Sequence, residues 1–82
     1  MVQFCVFDVS PTGGRFALSA PHGTYHVAVA CADQPTRNTF VNSETAALGP
    51  GTLHSNSTGH AIDVYFEAVD CNLGEALRRL HD

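Results

Sequence analysis

The side chains best suited to chemistry in this 82-residue chain are five histidines and three cysteines. They are His22, His26, His54, His60 and His81, with Cys5, Cys31 and Cys71. Structural zinc takes four tetrahedral ligands, usually delivered as two close pairs. Only His22 and His26 come close to that pattern, with three residues between them. That spacing aligns two ligands on a helix, yet Pro21 and Gly23 flank His22 and dictate a turn. Cys71 precedes a stretch with helical spacing, where the helix dipole lowers a thiol pKa, and His60 could serve as its base. The competing reading makes Cys71 a small apolar residue ahead of the helix, packed on Ala76. Free cysteines are among the most buried residues, which favours the second reading. Cys5 and Cys31 lie in apolar strand-like stretches and are expected to be inert core. No serine stands in a G-x-S-x-G elbow, and Gly13-Gly14 is too short for a phosphate loop. The expectation is a protein without catalytic residues, metal or cofactor.

Charge narrows the partners. There is no lysine; the cations are Arg15, Arg37, Arg78 and Arg79 against eight acids, for a net charge of −4. Nucleic-acid and membrane-surface binding both need clustered cations, and this chain has none beyond one Arg-Arg pair. The apolar run at Val27–Cys31 is far short of the roughly 18 residues of a membrane span. Val2–Val9 lacks the basic flank and cleavage site of a signal peptide, and three cysteines without close spacing do not make a disulfide framework. A reducing cytoplasm is the expected location. Four of the acids fall between Asp63 and Glu75, and Tyr65 stands between Asp63 and Glu67 on one strand face. Tyrosine is enriched at interface cores and acids steer a basic partner, so Asp63, Tyr65, Glu67 and Asp70 are the candidate partner-binding residues. The bland alternative is a solvated strand face that blunts an edge.

Several elements must position these groups. Val2–Val9 is apolar on both faces, as in a strand covered on both sides. Arg15–Ala20 alternates, with Phe16, Leu18 and Ala20 on one face. Pro21-His22-Gly23 turns the chain into Tyr25–Ala32. There Tyr25, Val27, Val29 and Cys31 make an apolar face, and His26, Ala28 and Ala30 a small-residue bed for a helix. Asp33–Asn38 reads as a polar loop and Thr39–Ser43 as a short strand. Ser43 could cap a brief helix, Glu44–Leu48, ended by Gly49-Pro50-Gly51. Thr52–Gly59 reads as loop or weak edge strand. Ala61–Val69 alternates, with Ile62, Val64, Phe66 and Ala68 inward. Asn72 and Glu75 resemble a capping box, and Leu73, Ala76, Leu77 and Leu80 share one helical face.

A chain this short buries roughly 60% of its unfolded surface and makes one domain, residues 1–82. The predicted fold is α+β: an antiparallel four- to five-stranded meander sheet with one C-terminal helix packed on one face. The expected function is a small non-enzymatic protein-binding module. Its partner would be another protein, with inhibition of a basic, nucleic-acid-handling protein as the specific version. One alternative is a homo-oligomer, such as a homodimer, whose exposed edge or apolar face completes the core. The other is a small enzyme that uses the histidines and cysteines with a metal or a thiol.

Overall fold

The computed structural model describes residues 2–10, 14–30, 37–43, 47–56 and 58–81. Six strands and one helix follow in order: β1 (Val2–Val9), β2 (Arg15–Ser19), β3 (Tyr25–Ala30), β4 (Phe40–Ser43), β5 (Gly49–Ser55), β6 (Ala61–Cys71) and α1 (Leu73–His81). The expected α+β composition and C-terminal helix are present. The sheet is different: it closes into a six-stranded antiparallel barrel in the order β1-β2-β3-β6-β5-β4, not an open meander of four or five strands.

Two three-stranded meanders build it. In the first, Ala20 and Thr24 bracket a turn in which the Gly23 N–H donates to Ala20 O at 3.3 Å. Pro21 supplies the fixed φ of the second turn position, and Gly23 takes φ +80°, the left-handed residue that lets a three-residue hairpin close. Closure then comes from β4, which returns beside β1 with Val41 opposite Phe4 and Phe40 opposite Cys5. The arrangement of β4 next to β1–β3 is a Greek key.

The second meander holds the element that local sequence hides. Gly49-Pro50-Gly51 reads as a helix terminator, yet Gly49–Ser55 is a strand paired along its length with β6. Its described pairing with β4 covers Val41↔Ser55 and Asn42↔His54, and among the described residues it has no further partner on that side beyond His54. Proline is tolerated at such an edge because no ladder donor is required there. Ala47 and Leu48 are not helical; the rest of the expected Glu44–Leu48 helix, residues 44–46, lies outside the described residues. So do residues 11–13 of the expected turn, Cys31 and Ala32 of the expected strand, and residues 33–36 of the expected loop.

The interior contains Phe4, Val6, Phe16, Leu18, Ala28, Val41, Leu53, Val64 and Phe66. A barrel this narrow cannot hold large side chains from every strand. The small residues of β3, Ala28 and Ala30, therefore face inward opposite the rings of Phe16 and Phe66. This inverts the expected sidedness of β3. The helix rests on the other face, where Val27, Ala68, Cys71 and Ala76 form a second cluster with Tyr25 against it. Ala68 joins that outer cluster instead of pointing inward because β6 slips register between the pairs Val27↔Ala68 and Ala28↔Phe66. The bulge leaves Glu67 as the extra residue and moves everything after it to the opposite face. A matching shift in β1 lies between Val6 and Asp8. Cys5 alternates with inward Phe4 and Val6, so it sits on the outer wall, partly buried, and not in the core.

α1 starts as expected. The Glu75 N–H donates to Asn72 Oδ1 at 2.8 Å, which satisfies one of the orphan donors at the helix start. Ala76 and Leu80 are fully buried, whereas Leu73, 45% exposed, does not share the docked face. No helix among the described residues is long and apolar enough to cross a membrane.

Candidate functional site

α1 covers only part of the outer wall. Next to it runs an uncovered row crossing four strands: Arg15 opposite Val29, Val29 opposite Tyr65, Tyr65 opposite Pro50. Tyr65 points outward because its neighbours Val64 and Phe66 are both in the barrel core. It is 52% exposed, a large aromatic surface at the centre of the row. Thr52 and Asp63, opposite each other, extend the wall away from the helix.

A hollow of about 520 Å³ lies over this row, lined by Arg15, Tyr65, Glu67 and Arg79. Arg15 organises it. Its Nε donates to Glu67 Oε1 at 2.7 Å and its Nη2 reaches Glu67 Oε2 at 3.5 Å. Its Nη1 donates to the Arg79 carbonyl at 3.0 Å. That carbonyl belongs to the last turn of α1, where unsatisfied C=O groups and the dipole favour a cation. One guanidinium thus ties β2, β6 and the end of the helix together. Arg79 closes the side, 3.3 Å from Glu75 one turn earlier. A second hollow, about 430 Å³, opens at the gap between β4 and β5, where Ser43, Thr52 and His54 border the Phe66 ring. It presents hydroxyls and an imidazole, whereas the Tyr65 hollow combines an aromatic face with fixed charges.

The four residues singled out from sequence are not one patch. Asp63 and Tyr65 share the wall, with Asp63 accepting from Thr52 Oγ1 at 3.4 Å. Glu67 shares it too, but its charge is neutralised by Arg15. Asp70 is exposed but lies within the second register shift of β6, between Ala68 and Cys71, with φ +54°. Sequence reasoning missed Arg15, Arg79, Pro50 and Val29. The alternation of β2 does place Arg15 outward; its meeting with Glu67 needed the β2–β3–β6 pairing.

Cys71, His60, His22 and His26 occupy separate places in the fold. Cys71 is buried beneath α1, its thiol 3.7 Å from the Val69 carbonyl. Burial pushes the thiol pKa up, Glu75 and then Asp70 push it further, and Arg79 offsets part of this. A thiol held protonated is a poor nucleophile. His60 precedes the other end of β6, on the order of 30 Å of extended chain away. His22 is on the exposed turn while His26 is inside the barrel, so the two cannot chelate one ion. Among the described residues no cluster of three or more His, Cys, Asp or Glu could hold a metal ion.

His26 was not foreseen as a buried group. It is 4% exposed, with its ring edge-on to Phe4 at 5.3 Å and to Phe66 at 6.5 Å. Its Nδ1 accepts the Asp70 N–H at 3.1 Å. Burial holds its pKa below the ordinary histidine value of 6.5, and the Asp70 carboxylate opposes that shift. No family model, no curated protein and no solved structure matches this chain.

Proposed function

We propose that the protein is a small non-enzymatic module that binds another protein through the barrel wall around Tyr65. The observation that supports this reading is the exposed Tyr65 ring beside Pro50 and Val29, edged by fixed charges, on the wall that α1 leaves open. Aromatic anchors ringed by polar groups carry most interface energy. Electrostatics favour a basic partner. Three of the four arginines are ion-paired, Arg15 with Glu67, Arg37 with Asp8 and Arg79 with Glu75, so the field of a −4 chain stays negative. Asp63 is the acid best placed to steer such a partner onto Tyr65. Inhibition of a nucleic-acid-handling protein at its phosphate-binding surface is the specific form this binding would take.

The test compares wild type, Tyr65→Ala and Asp63→Arg as baits, then measures association kinetics with the captured protein. Tyr65→Ala should weaken binding by about 30-fold, the cost of about 2 kcal/mol for a truncated aromatic anchor. Asp63→Arg should slow association in a salt-dependent way. Glu67 is left intact because its replacement would release Arg15 and the helix end. Unchanged kinetics in both variants would remove this wall from the interface.

A homo-oligomer is the second reading, favoured by one observation. Phe40, 50% exposed, sits on the outer wall of β4 beside Cys5 of β1. Sedimentation of a Phe40→Ser variant against wild type tests it.

A further inference from the structure

At the junction between β6 and α1 a left-handed residue donates a hydrogen bond to a buried imidazole, next to the Tyr25↔Cys71 ladder pair. His26 lies in the barrel between the edges of Phe4 and Phe66, and its Nδ1 accepts the Asp70 N–H at 3.1 Å. An imidazole that accepts at Nδ1 is neutral, with its proton on Nε2. Asp70 holds φ +54°, a conformation uncommon outside glycine, and the β3–β6 pairing slips register twice between Tyr25 and Ala28. Asp70 lies between the ladder pairs Val27↔Ala68 and Tyr25↔Cys71, where the register slips, and its N–H goes to the imidazole. Two residues on, Asn72 caps α1. The helix cannot keep its seat on Val27, Ala68 and Cys71 if the chain at Asp70 swings away.

We propose that protonation of His26 releases α1 from the barrel wall, so that the β6–α1 junction works as an acid-operated latch. A proton on Nδ1 sets two donors against each other, and it leaves a cation among Phe4, Phe66 and Leu18 with no acceptor at that atom. The groups facing His26 decide how firmly the latch stays shut. From β1 and β2 the neighbours are Phe4 and Leu18, without charge. From β6 the Asp70 carboxylate favours the protonated form, while burial disfavours it more strongly. Cys71 and Glu75 lie on the helix side of the wall, where Glu75, Arg79 and Asp70 act on the thiol.

The direction follows from linkage. With α1 seated, His26 takes up a proton less readily than an exposed histidine near 6.5. The open form therefore gains relative to the closed one as pH falls below about 6.5, by up to tenfold per pH unit, until the seated His26 itself titrates. The inference goes beyond the protein-binding reading and does not depend on it. It does carry a consequence for that site: Arg79 lines the Tyr65 hollow, so releasing α1 dismantles one of its walls.

Amide exchange from pH 7.5 to 5.0, corrected for intrinsic rates, tests the latch without any partner. Protection of Ala76–Leu80 should fall, by up to about tenfold per pH unit, while Val64–Phe66 keep theirs. Asp70→Asn keeps the backbone donor and a side chain that tolerates positive φ but removes the charge that favours protonation. The seated His26 then titrates at lower pH, so the loss of helix protection begins at the same point as in wild type but continues to lower pH and grows larger. His26→Gln retains an acceptor that does not titrate and should flatten the response; if it fails to fold, Asp70→Asn decides alone. Constant helix protection in wild type, equal loss in Val64–Phe66, or a loss in Asp70→Asn that levels off no lower in pH than in wild type would each overturn the proposal.

Discussion

Gly51 offers a direct test of the barrel register. It faces inward on β5, opposite Val64, and the Phe66 ring fills the space a side chain would take. A Cβ built there would lie 2.9 Å from Phe66 Cε2 and 3.2 Å from Cδ2. Phe66 is fully buried in the core, so its ring has little room to retreat. Gly51→Ala should therefore behave as overpacking, with a cost of about 1–3 kcal/mol. An ordinary strand glycine would respond in the opposite sense, because alanine restricts the unfolded chain and stabilises by about 0.5–1 kcal/mol. Phe66→Leu alone should cost about 1–2 kcal/mol through lost contacts and a partial cavity. Combined, the smaller side chain accommodates the new methyl. The double variant should then be more stable than the sum of the singles by about 1 kcal/mol, well outside the roughly 0.3–0.5 kcal/mol scatter of independent sites. Urea unfolding followed by circular dichroism measures all four corners of this cycle, with constant m-values as the check on two-state behaviour. A stabilised Gly51→Ala, or an additive cycle, would refute the β5–β6 register and with it the closure of the barrel.

A further expectation concerns the helix. Leu80→Ala should lower stability by about 2–4 kcal/mol, because Leu80 is 1% exposed, whereas partly buried Leu77→Ala should cost about 1 kcal/mol; equal losses in urea unfolding would show the helix seated in a different rotation.

What could be read from the sequence was whatever a period of two or four residues determines. The alternation of Arg15–Ser19 places Phe16 and Leu18 inside, and Tyr65 between Val64 and Phe66 has to face out. Asn72 caps the helix it was expected to cap, and Cys71 joins Ala76 under it. The rest depends on pairing between residues far apart in the chain. Barrel closure rests on β4 returning to β1 across residues 10–39, and no local pattern encodes that partnership. Arg15 and Glu67 are 52 positions apart and meet only because β2, β3 and β6 are neighbours in that order. The β5 strand was hidden for a different reason. Gly49, Pro50 and Gly51 each look like punctuation. In the barrel, Gly49 adopts φ +106°, Pro50 borders the gap beside β4, and Gly51 yields its space to Phe66.

The misread face of β3 shows how one bulge redistributes function. Strict alternation through Ala61–Val69 would send Ala68 into the barrel and leave Glu67 and Asp70 on opposite faces. The extra residue at Glu67 reverses that order. Ala68 then becomes part of the bed for α1, and Glu67 stays on the outer wall within reach of Arg15. Through Arg15 the bulge also reaches the Arg79 carbonyl, so the helix end and the Tyr65 hollow share one guanidinium. The second register shift leaves Asp70 left-handed with its N–H on His26. The N-terminal end of α1 is thus tied to His26 at the place where β6 breaks its own period, and the C-terminal end to Arg15, whose partner Glu67 faces outward with or without the bulge. Bulges next to functional elements commonly re-aim side chains in this way. Consistency between local pattern and global fold is the rule for a stable domain, and departures from it concentrate where structure serves something other than stability. In this barrel the departures fall at Glu67 and Asp70, beside the wall that Tyr65 dominates and beneath the helix that His26 secures.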